Sequence, residues 1–400
     1  MLPHIFNPAK EVIVQLKEHG EHAYFVGGCV RDVLLHREIG DIDIATSATP
    51  DKMLQIFDTV IPVGIEHGTV IVRLNHVSYE VTTFRKDGTY SDQRHPDTVL
   101  YVDQIDEDLQ RRDFTINALA MDIDGNIIDL YGGQADLQKK LIRTVGNGVE
   151  RFTEDPLRIL RALRFSSQLG FKIEAQTLHA IQEVQSQMKN LAVERITNEL
   201  AKLAAGTYAA KGFMYLRQTK VYEQLPVMIH YPYIMERIPN HMKPIHSLGG
   251  LIAFFHMLAP EIRLQTWITG WKCSNRTKKE AMNLVEAISY AKTHGMDRWL
   301  VYRLMPELQT CFLTITSLLN PNEEMDETYF YQLFNQLPIR SKQEMNWNGN
   351  DLSRCFPDWK KGRWMQETLL RIEKEIVMGR LDNSKIKIKE WLQWNPPVID

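Results

Sequence analysis

Hydrophobic periodicity changes once along this chain, and that change constrains the fold more than any single motif does. Through the first third, short runs rich in valine, isoleucine, threonine and aromatics predict strands: "HAYFVGG", "DIDIAT", "TVIPVG", "GTVIVRL" and "VSYEVTTF". Thr49-Pro50 ahead of "DKMLQIF" predicts a short helix among them, because proline presets the φ of a helix's first turn. From about Thr153 onward the apolar residues recur three and four apart, as in "LRILRALRFSSQLGF", "AQTLHAIQEVQSQM" and "VERITNELAKLAAG", and strand signals nearly vanish. The expectation is an α+β protein in which a head with a mixed sheet precedes a helical remainder. No repeat of fixed period and no low-complexity tract interrupts that division.

A length of 400 residues leaves room for two or more domains. The net charge of -3 excludes a uniformly basic nucleic-acid coat but not a local basic stripe, because a partner feels the nearby field. Cys29, Cys273, Cys311 and Cys355 lie far apart with no CxxC pair. Neither a zinc knuckle nor a disulfide framework is expected, and a reducing compartment fits. The first residues lack a signal-peptide pattern, and no apolar run approaches the roughly 20 residues that span a bilayer, so a cytoplasmic protein without a membrane partner is expected.

The chemistry is concentrated in a few stretches. In "VGGCVRDVLLHREIGDIDIAT", residues 26 to 46, Gly27 and Gly28 stand where a strand gives way to a helix. Bare backbone at a helix N-terminus offers N–H groups to a phosphate. Asp41 and Asp43 are two apart, so within a strand both carboxylates face one side while Ile42 and Ile44 bury behind them. Adjacent like charges repel unless a proton or a cation lies between them, and hard oxygen ligands suit Mg²⁺. The plain alternative is a strand end with two solvated aspartates. Together with a phosphate-binding turn, the pair fits two-metal nucleotidyl transfer, for which Glu80 in "SYEVTTF" offers a third carboxylate. Glu80 reads equally as a polar-face strand residue.

"RRDFTINALAMD", residues 111 to 122, places Arg111, Arg112 and Asp113 at the head of an apolar helix. The three either cap that helix or, beside a triphosphate, pair with phosphate and ribose oxygens. In "RFTEDPLRILRALRF", residues 151 to 165, Asp155 and Arg158 lie three apart on one helix face. An intrahelical ion pair accounts for that spacing. So does base recognition. Cytosine and adenine each show an amino donor beside a ring-nitrogen acceptor, so one carboxylate and one guanidinium accept C and A and refuse G and U.

These motifs together resemble the class II CCA-adding enzymes, tRNA nucleotidyltransferases of the DNA polymerase β superfamily, in their shorter bacterial form. The likeness covers roughly residues 22 to 200 and rests on five motifs in the family's order: "GGCVRDVLL…DIDIA", "RRDFTINA", "DLYGG", "EDPLR" and "ERITNEL". It implies a head at 1–140, a helical neck at 141–206, a body at 207–315 and a tail at 316–400. It implies metal binding by Asp41 and Asp43, ribose contact by Asp113 with Arg111 and Arg112 nearby, and base selection by Asp155 and Arg158. Gly27, Gly28, Arg31, Arg161 and Arg164 would complete the nucleotide site. Glu154 and Arg195 would brace the template helix, and Asp129 and Gly132 would serve head movement.

The implied reaction adds C, C and A to tRNA from CTP and ATP with Mg²⁺, without an obligatory protein partner. "VGIEHGTVIV" resembles the CCA-adding form rather than poly(A) polymerase, and residues 84–99 resemble the family's flexible loop, which CC-only enzymes shorten. CC-only or A-only addition, polyadenylation and a non-catalytic RNA-binding protein of the same fold are the alternatives. The helical half contains no His-Asp dipeptide, so no phosphohydrolase domain and no second metal site are expected.

Beyond residue 200 the reading rests on charge. Residues 360 to 390 carry nine lysines or arginines against five acids. If "KIKIK" is extended, Lys385, Lys387 and Lys389 form one row for RNA phosphates or a lysine-protected strand edge. "SNRTKKEA" at 274–281 is a second basic cluster.

Overall fold

The computed structural model describes residues 2–88, 98–321 and 326–397. Most of the expected flexible loop, at 89–97, lies outside these. Contacts divide the chain into two compact units, Met1–Glu236 with Met242–Pro244, and Arg237–His241 with Ile245–Asp400.

In the first unit all five expected strands form: β1 (Ala23–Val26), β2 (Asp43–Thr46), β3 (Val60–Gly64), β4 (Thr69–Leu74) and β5 (Val77–Thr83). β6 (Arg85–Asp87) and β7 (Val99–Tyr101) pair as a separate ribbon. β8 (Ala120–Met121) and β9 (Ile127–Ile128) complete a seven-stranded sheet of order β3-β4-β5-β2-β1-β8-β9. Only β2 and β5 run parallel within it, which sets Asp43 opposite Glu80. A parallel neighbour is what brings two carboxylates from distant sequence side by side. Helix α1 (Asn7–Glu18) buries Val12, Ile13 and Leu16, and the preceding turn packs Phe6 edge-on against Phe25 at 4.8 Å. α2 (Gly28–Leu34) follows β1 directly, and α3 (Pro50–Ile56) starts as expected, with the Thr49 hydroxyl accepting from the Lys52 amide.

One expectation fails here. "RRDFTINALAMD" is not an apolar helix. α4 (Ile105–Gln110) ends before Arg111, and a single 3-10 turn at Thr115–Asn117 leads into β8. Phe114 bridges to Thr144 and the Thr115 amide bonds the Arg143 carbonyl, so long-range partners take the backbone groups a helix needs.

The rest of the unit is helical: α5 (Gly133–Gln138), α6 (Gly148–Glu154), α7 (Leu157–Leu169), α8 (Ala175–Val184), α9 (Val193–Ala204) and α10 (Ala209–Gln218). A two-residue parallel pair, β10 (Leu141–Ile142) and β11 (Lys172–Ile173), ties the sheet side to the helices. α7 is the most enclosed, burying Ile159, Leu160, Ala162 and Leu163 and turning its arginine face to a cleft.

The second unit is built of helices around tryptophans. Trp299, Trp347 and Trp364 are buried with Leu352, Ile372 and Ile376. The run at 385–389, whose lysines would form one row if it were extended, lies instead in the helix Lys385–Trp394, capped by Ser384, whose hydroxyl accepts from the Lys387 amide. Ile388 and Leu392 are buried four apart while Ile386 is 72% exposed, which is helical periodicity. The row of lysines therefore dissolves. Lys385 pairs with Asp351 at 3.3 Å and Lys387 with Glu390 at 3.0 Å. In the other basic cluster, Arg276 pairs with Glu280 at 3.0 Å. Among the described residues the four cysteines are free thiols, and no helix is long and apolar enough to cross a membrane.

Candidate active site

The site begins where β1 turns into α2. Gly27 has φ +72°, and a Cβ there would lie 2.8 Å from the Arg112 guanidinium. Only glycine meets both demands, so the turn leaves the first amides of α2 uncovered beside a cation. Arg112 Nε is buried without a hydrogen-bond partner, although the same side chain pairs with Asp108 at 3.1 Å. A buried donor without a partner is costly, and an anion in the cleft would satisfy it.

The carboxylates come next. Asp43 opens β2, and Asp41 stands in the exposed segment before the strand rather than within it. Ile42 and Ile44 bury as expected. Asp41, Asp43 and Glu80 line one cleft, so the three acids share a side. Burial, then the charges of Glu80 and Asp41, push the Asp43 carboxyl up to about 6 against the opposing pull of Arg112. A carboxylate that resists ionisation among like charges fits a divalent cation on its oxygens. Among the described residues no group of three or more His, Cys, Asp or Glu side chains is arranged to hold a metal ion by itself.

Across the cleft an arginine group is held in place by acids. Asp108, fully buried, binds Arg111 at 2.7 Å and Arg112 at 3.1 Å. Burial opposes ionisation there, but the two guanidiniums outweigh it and hold the carboxyl below its ordinary range. Asp113 accepts from the Phe114 amide and Asn117 through one oxygen and from Arg161 at 2.7 Å through the other. Burial again opposes ionisation, while Arg161, Asn117 and Arg158 pull the Asp113 carboxyl down to about 2. Arg31 donates to Asn117 at 2.7 Å. The guanidiniums of Arg31, Arg161 and Arg164 lie 5.2, 5.6 and 4.2 Å from the centre of the Phe165 ring. That ring groups three cations that would otherwise drift apart.

The last element joins α6 to α7. Asp155 leaves the helical conformation between them, and its Oδ1 accepts from the Leu157 amide at 3.1 Å, starting α7. Its Oδ2 pairs with Arg195 at 2.9 Å. Arg158 instead pairs with Glu154 at 2.7 Å and also donates to the carbonyls of Arg151 and Arg111. Asp155 and Arg158 are thus not spent on each other. Three guanidinium N–H groups of Arg158 are occupied in these bonds, and Arg158 and Asp155 both line the same cleft.

Most of these groups surround one cleft of about 510 Å³. Seven arginines and four acids line it, an excess of cations suited to a polyphosphate. Of the expected residues, Gly27, Gly28, Arg31, Asp43 and Glu80 are brought together there with the arginines and with Asp113, Asp155 and Arg158. Asp41 lines the adjoining cleft, and Glu154 holds Arg158 from behind. Asp129 and Gly132 lie elsewhere. Both Asp129 oxygens accept amides of α5, at 2.7 and 2.9 Å from Gly133 and Gln134, and Gly132 takes φ +75° at that helix start. Two lining residues had no sequence signal of their own. Asn117 sits inside an apolar run, and Phe165 reads as one more core position of α7.

Known protein families match most of the chain. The model of the poly A polymerase head domain matches residues 23–143, that of an RNA- and SrmB-binding site of polymerase A matches 170–231, and that of tRNA nucleotidyltransferase domain 2 matches 250–392. The CCA-adding enzyme of Oceanobacillus iheyensis is 46% identical over 99% of both chains. The chain belongs to the CCA-adding enzyme family. The CCA-adding enzyme of Bacillus cytotoxicus is 42% identical, with 97% of this chain and 98% of that one aligned. The crystal structure of the Bacillus stearothermophilus CCA-adding enzyme in complex with CTP superposes with a TM-score of 0.87 at 34% identity, over 98% of each chain. As a member of this family the protein is a nucleotidyltransferase, and its head and helical remainder carry the family fold.

Proposed function

We propose that the cleft extends the 3′ end of tRNA by C, C and A, consuming CTP twice and ATP once. The observation that carries this reading is that Asp155 and Arg158, three apart in the chain, line one cleft while each is held by a different partner, Arg195 and Glu154. The carboxylate accepts the amino group of cytosine or adenine and the guanidinium donates to the ring nitrogen. Guanine and uracil would set a carbonyl against the carboxylate and an N–H against the guanidinium. Glu154 and Arg195 keep the two groups apart and aimed, and α7 serves as a template without nucleic acid.

In each addition the terminal 3′ oxygen attacks the α-phosphorus, the bond to the bridging oxygen breaks, and pyrophosphate leaves with the electron pair. The amides at the start of α2, from Gly28 onward, with Arg112 and the arginines grouped on Phe165, hold the triphosphate and its leaving end. Asp113, with Arg111 and Arg112, lies on the sugar side. Enzymes of this family need a divalent metal. We take it to be two Mg²⁺ ions on Asp41 and Asp43, with Glu80 as the third carboxylate, supplying charge that stabilises the anionic transition state. The helix cap at Asp129 and Gly132 fits a pivot for head movement. The reaction belongs in the cytoplasm, and the helical segments after residue 140 divide the tasks of selecting nucleotides and holding RNA.

The experiment is direct. Purified protein is incubated with Mg²⁺, CTP, ATP and a tRNA lacking its terminal triplet, and product length is read on a gel. Extension by three nucleotides is expected. A halt after two cytidines would favour a CC-only enzyme, and long adenylate tails on unrelated RNA a poly(A) polymerase. No extension would leave a non-catalytic RNA-binding protein.

A further inference from the structure

Asn117 is an uncharged side chain inserted between a cation and an anion of the cleft. The 3-10 turn Thr115–Asn117 carries it, and it is 6% exposed. Arg31, from α2, donates its Nη1–H to Asn117 Oδ1 at 2.7 Å, and Asn117 Nδ2 donates to Asp113 Oδ1 at 3.1 Å. A guanidinium only donates and a carboxylate only accepts, so the carboxamide has a single orientation here. Its backbone carbonyl accepts from Arg112 Nη1 at 3.4 Å. One residue thus touches two arginines and one acid, all of which line the cleft. The neutrality of that link matters because both ends already have ionic partners. Asp32 holds the other edge of Arg31 through Nε at 3.0 Å and Nη2 at 2.8 Å, and Arg161 holds the other oxygen of Asp113 at 2.7 Å. A second carboxylate on Arg31 would outweigh its single positive charge, and the cluster would repel a phosphate instead of attracting it. With an apolar side chain at 117, Nη1 of Arg31 and Oδ1 of Asp113 would each lose a hydrogen bond, and pairing with each other would restore both.

We propose that Asn117 is a positioning residue for the triphosphate, a neutral spacer that keeps Arg31 from pairing with Asp113 and so reserves the charge of Arg31 for the phosphates of the incoming nucleotide. The base is read on α7, so the effect is common to CTP and ATP. An amide that merely braced its turn would be indifferent to the charge of Asp113. The inference rests on the reading of the cleft as a nucleoside triphosphate site.

The test measures binding in the absence of tRNA. Affinities for CTP and ATP with Mg²⁺, and for inorganic tripolyphosphate, are measured by calorimetry on the wild type, Asn117→Asp, Asn117→Leu, Asp113→Asn and the Asn117→Leu, Asp113→Asn double variant, each checked for folding by its melting curve. Asn117→Asp, equal in size, should weaken all three ligands by about tenfold or more. Asn117→Leu should weaken them in the same direction, and Asn117→Ala stands in for it if the leucine variant does not fold. Asp113→Asn removes the carboxylate that would capture Arg31, so it should raise tripolyphosphate affinity about threefold more in the Asn117→Leu background than in the wild type. Folded variants with unchanged tripolyphosphate affinity, or an Asp113→Asn effect equal in both backgrounds, would overturn the proposal. These results decide the spacer whether or not the wild type extends tRNA, so the two readings fail separately. A wild type that binds neither nucleotide nor tripolyphosphate would overturn both.

Discussion

Replacing Asp155 by alanine tests nucleotide selection at its source. With CTP bound, Asp155 and Arg158 each make one hydrogen bond involving a charged group. With UTP, both are left facing the wrong partner. Each such bond is worth about 1.5–3 kcal/mol, so the intact pair supplies roughly 3–6 kcal/mol of discrimination. At about 1.4 kcal/mol per decade that is roughly a 10²- to 10⁴-fold preference for CTP. Asp155→Ala removes one of the two bonds, so the CTP/UTP ratio of kcat/KM should fall by about 10- to 100-fold. The variant also loses the bond to the Leu157 amide, a helix-start contact worth about 1 kcal/mol, and leaves the largely buried Arg195 guanidinium without its Asp155 partner. A drop of a few degrees in Tm is therefore expected, without loss of folding. Single-addition kinetics on tRNA lacking its triplet, with CTP and UTP in parallel, give the ratio. An unchanged ratio in a folded variant would refute the template argument.

Other outcomes follow from the same geometry. Asp43→Asn should abolish extension yet raise the thermal stability of the metal-free protein at pH 8. The Asp43 carboxyl, pushed up to about 6 from an unfolded value near 3.9, makes the wild type lose stability as pH rises from about 4 to 6. The gain in the amide variant should be on the order of 2 kcal/mol after screening and should vanish below pH 4, read by melting curves across pH. Asp113 has the opposite sign. Held down to about 2, it contributes stability above the unfolded carboxylate value that is lost as pH falls from about 4 to 2, and Asp113→Asn should flatten that acid limb. Asp129→Ala removes two amide acceptors from the start of α5 and should cost about 1–2 kcal/mol in denaturant unfolding.

The sheet was legible because its information is local. Alternation in "GTVIVRL" and "VSYEVTTF" specifies which face of β4 and β5 buries, and a glycine pair between a strand and a helix announces the turn at Gly27. Spacing also indicated that Asp155 and Arg158 could share a face. It did not show that they avoid each other, because that depends on Glu154 and on Arg195, forty residues away. The helix expected at "RRDFTINA" failed for a similar reason: its amides are claimed by Arg143 and by the bridge to Thr144, neither of which the local pattern contains. "KIKIKEWLQW" alternates well enough to suggest a strand, but Ser384 as a cap and a buried core waiting for Ile388 and Leu392 decide for helix. Phe165 was hidden because its role is to face guanidiniums, and an apolar residue in an apolar helix gives no sign of that.

The central claim is that two adjoining clefts meeting at Asp43, with Asp41 and Asp43 for chemistry and Asp155 and Arg158 for selection, write a defined triplet. The most direct measurement supplies all four nucleoside triphosphates in equal amount with Mg²⁺ and a tRNA lacking its triplet, then sequences the 3′ ends. The account predicts C, C and A followed by arrest, with no product from the Asp41→Asn, Asp43→Asn double variant. Mixed or unbounded additions by the wild type, or undiminished extension by the double variant, would contradict it.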